Sequence, residues 1–495
     1  MSIAALIAWP IEASDEIPLA LWDSFAIEAA TGGRASTMFQ VSGVEIDSRD
    51  VQPGDLFFAL IGEAMDGHRF VEAAFAKGAA AVVVDRPVKG PHVLVKDTFA
   101  ALQALARAAR TRSEAAIIGV TGSVGKTGVK EAIFAALDRS SNGQAHRSVK
   151  SYNNHVGVPL SLARMPARAK SGTFELGMNH AGEISALTAQ VRPHVAVITT
   201  IAPAHIENLG SEEAIAAAKA EIFEGLAPGG TAIIPADSPH FAALHDAALV
   251  HGAKVVSFGL SAHADVRLLD AVMAPGGGSL VTVDMGAARV CYTIAAPGEH
   301  WIANSLAVMA TVRAVGGDLG AAGLALAEME GLKGRGARHT IAAFGGAKGS
   351  GRALLIDESY NANPASMRAT LAQLGATPAV RRIAVLGAMK ELGDLGPAFH
   401  AALAEPLRAA GVDYALLVGN EMGALADELR KCGEPGKSGG NALGKSIAFA
   451  HCRNPAEALV ALADFGIEGG DAVLVKGSNS IGLGAVVADL IGQKG

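Results

Sequence analysis

The chain has 495 residues, half of them hydrophobic and 18% charged, a globular composition too long for one core, so two to four domains are expected. Its net charge of −7, from 41 Lys+Arg against 48 Asp+Glu, supplies no basic stripe of the kind that binds nucleic acid. No apolar run reaches the ~20 residues needed to span a bilayer, and the apolar stretch Met1 to Pro10 is short and lacks the basic flank of a signal peptide. Cys291, Cys432 and Cys452 have neither metal-ligand spacing nor an even count and read as reduced thiols of a cytoplasmic protein.

The first unit is expected over residues 1–112. Leu21 to Ala30 reads as a helix stopped by Gly32-Gly33, and Val44–Asp47 and Leu56–Leu60 as strands separated by the turn Pro53-Gly54-Asp55. A helix from His68 to Lys77 and a strand at Ala81–Asp85 complete a small α/β module. Ser48-Arg49 follows a strand end, and by spacing alone it is an ordinary solvated loop.

The second unit, 113–332, opens on the stretch around which the chain is organised. Ala115 to Val120 is an apolar run that reads as a buried strand; a glycine turn follows, and Lys126 opens a segment with Val129, Ile133, Ala136 and Leu137 at helical spacing. Strand, glycine loop and helix N-terminus make an anion cradle: Gly122 and Gly125 tolerate the backbone that turns Gly122, Ser123, Val124 and Gly125 N–H groups inward, and the helix dipole favours phosphate. Lys126 would then reach the β/γ-phosphates of a nucleotide and the Thr127 hydroxyl would hold Mg²⁺. The usual pattern wants glycine five residues before Gly125, where this chain has Val120.

Apolar runs at Val195–Ile198, Thr231–Pro235 and Lys254–Phe258 alternate with helical stretches, which implies a mostly parallel sheet covered by helices. Residues 264–296 break that alternation and read as an antiparallel meander before a helix, Ile302 to Val315, that carries Asn304. Glu175 ends the run Thr173 to Asn179 and is either a Mg²⁺ ligand or a solvated loop acid. His205 lies just past the strand Val195–Thr200, on the side where parallel sheets bind ligands. Ser211 with Glu212 and Glu213 starts a helix in which Ile215, Lys219 and Ile222 share a face. That lysine either snorkels to water or, if buried, is held neutral; a neutral amine reacts with CO₂ to give a carbamate, an anion able to help hold a second metal.

Gly331 to Arg338 is a glycine- and arginine-rich joint, read either as a hinge into a third unit, 333–495, or as a simple flexible loop; from either, Arg335 could face a nucleotide. Strands at Ala353–Ile356, Ile383–Gly387, Tyr414–Val418 and Ala472–Val475, with helices between, again predict a parallel sheet. Residues 433–445 form a Gly/Ser/Lys-rich loop expected to be mobile.

These residues together resemble the Mur ligases, ATP-dependent amide-forming enzymes of peptidoglycan synthesis, and within them the MurF type. The likeness covers nearly the whole chain from about residue 20. It rests on Ser48-Arg49 with Pro53 to Phe57, Thr121 to Thr127, Tyr152 to Pro159 with Asn153-Asn154, Glu175 to Asn179, Ala204 to Glu207 and Ala218 to Phe223. It continues through Gly298-Glu299-His300 with Asn304, Asp357 to Pro364, Val385 to Met389, and Val475 to Ser478. The family's TGxxGKT form accommodates Val120, while Gly128 stands where relatives often carry Thr or Ser.

The resemblance implies α/β architecture in three domains: a small N-terminal one for the UDP part, a central P-loop domain with a mostly parallel sheet, and a C-terminal Rossmann-like lid. It implies that Lys126 and Thr127 bind ATP and Mg²⁺, that Glu175, His205 and carbamylated Lys219 surround two metal sites, and that Asn304, Arg335 and Asp357 contact nucleotide. Ser48, Arg49, Asn153 and Asn154 are expected substrate contacts, as are Asn361 and Asn363, which follow the strand Ala353–Ile356 and offer amides suited to a dipeptide's carboxylate and peptide group. The implied substrates are UDP-MurNAc-tripeptide and D-Ala-D-Ala, acted on by a cytoplasmic enzyme expected to be a monomer. A P-loop switch or motor protein and a catalytically dead scaffold are the competing classes.

Overall fold

The computed structural model describes residues 20–63, 65–204, 206–273, 278–344, 351–433 and 446–492. His205, Gly276-Gly277 of the meander, residues 434–445 of the Gly/Ser/Lys-rich loop, the extreme N-terminus and the Cys432 side chain lie outside the described residues. The chain divides into two compact units, Met1–Glu114 with Pro159–Arg168, and Ala115–Val158 with Ala169–Gly495.

In the first unit, Gly43–Glu45, Asp55–Phe58, Ala81–Val84 and His92–Leu94 run parallel, and Arg34–Ala35 closes the edge antiparallel. Phe57, Val82 and Val84 fill its core. Its first helix begins at Ser24 rather than Leu21: Trp22–Asp23 pairs with Gln40–Val41, and the Asp23 carboxylate accepts the Ala26 N–H at 2.8 Å. An aspartate N-cap is a start signal that outweighs the apolar residues before it. The segment Pro159–Arg168 belongs to this unit and is tied to it by polar contacts. Ala163 carbonyl accepts the Trp22 indole N–H at 2.8 Å, and Arg164 pairs with the buried Glu45 at 3.1 Å.

The second unit carries two sheets among the described residues. In the larger, the strands run Arg289–Ile294, Ser279–Asp284, Val266–Met273, Lys254–Gly259, Thr231–Pro235, Val195–Ile198, Ala116–Thr121, Ser171–Glu175 and Ala145–Arg147. Parallel pairing holds from Ala145–Arg147 to Val266–Met273, and the last two strands add antiparallel at the edge, where the meander is expected. The helices Lys126–Ser140 and Glu299–Ala314 pack on one face through Val129, Ile133, Leu306 and Met309. The smaller sheet orders Ala337–Ala342, Arg352–Glu358, Ala472–Lys476, Arg382–Gly387, Tyr414–Val418 and Ala448–Cys452, parallel except for its first strand. The chain is therefore α/β with largely parallel sheets. None of the described helices is long and apolar enough to cross a membrane.

The helix Gly396–Ala401, which follows the smaller sheet's strand Arg382–Gly387, contains an acid-sensitive contact. His400 is buried; its Nε2 accepts the Met389 N–H at 2.9 Å, so Nδ1 carries the proton that it donates to the Gly396 carbonyl at 2.7 Å. Burial pushes the imidazole pKa below its ordinary 6.5. The unfolded chain then binds a proton that the folded chain refuses, so stability falls as pH drops below 6.5 towards the lowered value. His400→Gln should flatten the loss of unfolding free energy on acidification relative to wild type in denaturant titrations; parallel curves would exclude this role.

Candidate active site

The strand Ala116–Thr121 sits inside the larger sheet, with Val120 opposite Glu175 and Thr121 opposite Ile198. Its exit loop turns on two glycines. Gly122 has φ of 146° and its hydrogen faces the Thr199 hydroxyl, where a β-carbon would lie 2.0 Å from Oγ1. Gly125 has φ of 90°, and a β-carbon there would lie 2.7 Å from Asn304 Oδ1. Side chains are excluded at both places by backbone and by space. Ser123 is buried, tied to Ala202 through both its hydroxyl (2.8 Å to the carbonyl) and the return bond from the Ala202 N–H (3.0 Å). The Thr199 hydroxyl donates to the Val124 carbonyl at 2.6 Å.

Lys126 opens the helix and its ammonium donates to the Gly122 carbonyl at 2.7 Å, curling back over the loop. Burial lowers its pKa; Glu175 works against that shift and Arg335 adds to it. Thr127 is buried and donates its hydroxyl to Glu175 Oε2 at 2.8 Å, while the Asn153 amide donates to Oε1 at 2.7 Å. Glu175 is thus no solvated loop acid: it is the fully buried last residue of its strand. Thr127 and Glu175 offer two adjacent oxygen ligands at a phosphate loop. That donor set fits Mg²⁺, which takes one or two protein oxygens and completes its shell with water and phosphate. Among the described residues no group of three or more His, Cys, Asp or Glu converges as a metal cluster.

Lys219 lies on the helix Glu212–Ala220, whose N-cap Ser211 accepts the Ala214 N–H at 3.2 Å. It is 2% exposed, between the fully buried Ile215 and Ile222, so it does not snorkel. Burial holds its pKa well below the usual lysine value, and the Lys126 charge lowers it further. Its side chain lines the same cavity as Lys126, Glu175, Asn153 and Asn304.

The cavity continues onto the residues that follow the joint. Arg335 lines it with its guanidinium 4.2 Å over the Tyr360 ring. Asp357 does not line it: Oδ2 accepts the Gly334 N–H at 2.8 Å, and Oδ1 accepts the Ser359 N–H at 3.1 Å and hydroxyl at 2.6 Å. Its observed work is holding the joint in shape beside Arg335. Asn361 and Asn363 both line the cavity and a second, polar one with Lys390 and Ser478. Asn363, however, caps the helix Pro364–Ala376 by accepting the Ser366 N–H at 2.8 Å. Asn154 is likewise spent on a helix start, accepting the Gly157 N–H at 2.9 Å. Ser48 and Arg49 belong to the first unit, where Arg49 is exposed and bound to Asp47 at 2.6 Å.

Lys476, His300 and Trp301 are among the lining residues that carry no assignment from sequence. Lys476 is 2% exposed; its ammonium reaches the Asn361 carbonyl at 3.0 Å and Glu358 at 3.3 Å. Burial lowers its pKa while Glu358 opposes. A lysine closing the apolar strand Ala472–Lys476 is the signal that could have found it. His300 and Trp301 enter from the start of the helix Glu299–Ala314, which begins three residues before the apolar spacing suggests.

Three family models match this chain: the Mur ligase middle domain over residues 120–312, the Mur ligase glutamate ligase domain over 331–479, and the Mur ligase family catalytic domain over 40–113. The chain belongs to the Mur ligase family. It is 36% identical to the UDP-N-acetylmuramoyl-tripeptide–D-alanyl-D-alanine ligase of Synechocystis, covering 92% of this chain and 93% of that protein. A crystal structure of MurF from Acinetobacter baumannii superposes with a TM-score of 0.77 at 29% identity, over 95% of this chain and 98% of that one. MurF ligase from Thermotoga maritima in complex with ADP gives 0.70 at 25% identity, over 91% and 97%.

Proposed function

We propose that this Mur ligase joins D-Ala-D-Ala to UDP-MurNAc-tripeptide, using ATP and passing through an acyl phosphate, to give the pentapeptide, ADP and phosphate. The observation that carries the reading is the single cavity in which a phosphate loop, a buried carboxylate and a buried lysine meet Arg335 and Lys476 from the far side of the joint. The relatives that bear this activity's name match over most of the chain, and one solved neighbour carries ADP.

A carboxylate is a poor acyl donor until its oxygen is phosphorylated. Lys126, with loop N–H groups from Gly122 to Gly125, would bind and orient the β/γ-phosphates and offset charge on the transferring group. Thr127 and Glu175 would hold Mg²⁺, which supplies further neutralisation of the phosphate oxygens. Asn153 fixes the Glu175 carboxylate for that task. Lys219, its pKa held well below the usual lysine value by burial, is proposed to add CO₂ through its amine with loss of one proton; the carbamate oxygens, with His205, would complete a second metal site. Asn304 and Arg335 would contact nucleotide, and Asp357 would act by holding the Arg335 joint.

The domain roles follow as proposals: 1–112 for the UDP part through Ser48 and Arg49, 113–332 for ATP, 333–495 as the acceptor lid that excludes water from the acyl phosphate. A monomeric, cytoplasmic enzyme is part of the same reading. The test is phosphate release from ATP with tripeptides differing at position three, with and without D-Ala-D-Ala. Release that requires both substrates supports the ligase; release indifferent to either returns the chain to the switch or scaffold classes.

Asn361 is the cleaner of the two acceptor-side asparagines to probe, because it is exposed on both cavities and caps no helix. Asn361→Ala should raise KM for the dipeptide by about tenfold and leave KM for ATP nearly unchanged. A shift confined to ATP would assign the loop to the nucleotide instead. Asn363→Ala should in addition lose about 1 kcal/mol of stability with its cap.

A further inference from the structure

We infer that Trp301 forms the wall of the nucleotide site beside the phosphate loop and contacts the bound nucleotide, and that Gly128 is present to admit it. This rests on the nucleotide reading of the cavity. Gly128 is the third residue of the helix Lys126–Ser140, with no positive φ to require glycine. Glycine there weakens the helix by about 1 kcal/mol relative to alanine, so something must offset it. The offset is spatial. A β-carbon at Gly128 would lie 2.8 Å from Trp301 Cη2 and 3.2 Å from Cζ2, closer than side-chain contacts allow, and the other atom set is a rigid ring.

The contact is one of two. One turn along the same helix as Trp301, Asn304 lies against Gly125, so the helix Glu299–Ala314 rests on the phosphate loop at Gly125 and Gly128 through side chains three residues apart. Both glycines and both side chains line the cavity that holds Lys126. Trp301 is 8% exposed, packed on one side into the core with Leu306 and Val129 and open on the other to the cavity. An indole there offers an apolar, polarisable surface, suited to the uncharged part of a nucleotide rather than to phosphates, which the N–H groups and Lys126 take. Gly128 and Trp301 therefore act as one unit: a hydroxylated or methylated residue at 128 and an indole at 301 exclude each other.

The test titrates ADP into the full-length protein by calorimetry and by tryptophan emission. In wild type, ADP should change the emission; in Trp301→Phe that change should vanish while binding heat remains, with affinity lowered by about three- to tenfold. Gly128→Ser should weaken ADP by about tenfold or more in the wild-type background but cost little further when added to Trp301→Ala, a coupling that independent sites do not show. An ADP-dependent emission change that survives in Trp301→Phe, or additive effects of the two substitutions, overturns the inference and leaves the nucleotide reading standing. Should Gly128→Ser not fold, the emission comparison between wild type and Trp301→Phe still decides. Absence of any ADP binding by wild type removes the nucleotide reading and this inference together.

Discussion

Lys126→Ala should lower turnover by about 10³-fold or more while leaving the fold intact, because its ammonium is the cation that the phosphate loop itself sets against charge on the transferring phosphoryl group. The ammonium's one short contact within the loop is to the Gly122 carbonyl at 2.7 Å. Losing it costs about 1 kcal/mol of stability, too little to unfold the domain. Thermal unfolding and ATP-dependent phosphate release on the same preparation separate the two effects. A folded variant with turnover within about tenfold of wild type would remove Lys126 from the chemistry.

Lys219→Ala should cost about 10²-fold or more in turnover and regain part of it with added formate or acetate, small anions that fit the vacated carboxylate position. The motive is a lysine 2% exposed, with Lys126 as the charge beside it and its pKa held well down by burial. Alanine at this buried position removes packed methylenes and should lower the unfolding midpoint, whereas rescue by added carboxylates reports only on chemistry, which separates the two roles. Protein equilibrated with ¹³CO₂ should show a carbamate carbon resonance in wild type and none in the variant. No such resonance, together with no rescue by carboxylates, would return Lys219 to an ordinary buried residue.

Lys219 also shows where sequence reading stops. Its place in an apolar stripe with Ile215 and Ile222 was legible, but snorkelling and burial have the same spacing, and only the packing of its helix decides between them. Glu175 stood at the same ambiguity. As the last residue of a strand inserted beside Ala116–Thr121, it is fully buried and held by Thr127 and Asn153. Conversely, Asn154 and Asn363 lie in motifs that suggest ligand contacts, and the structure uses their side-chain oxygens to cap helices.

The features legible along the chain are local and periodic: the apolar runs that become parallel strands, the glycine loop whose backbone needs Gly122 and Gly125, and the lysine and threonine that open the next helix. These follow from chain-neighbour sterics and from the burial of one face, which a linear sequence records. The remaining contacts depend on packing, in which residues far apart in the chain meet in one volume. It brought Lys476 and Arg335 to the cavity of Lys126, spent the Asp357 carboxylate on Gly334 and Ser359, and set the Trp301 ring where a β-carbon at Gly128 would stand. Close packing has no sequence period, so those contacts are visible only once the helices are laid against the sheet.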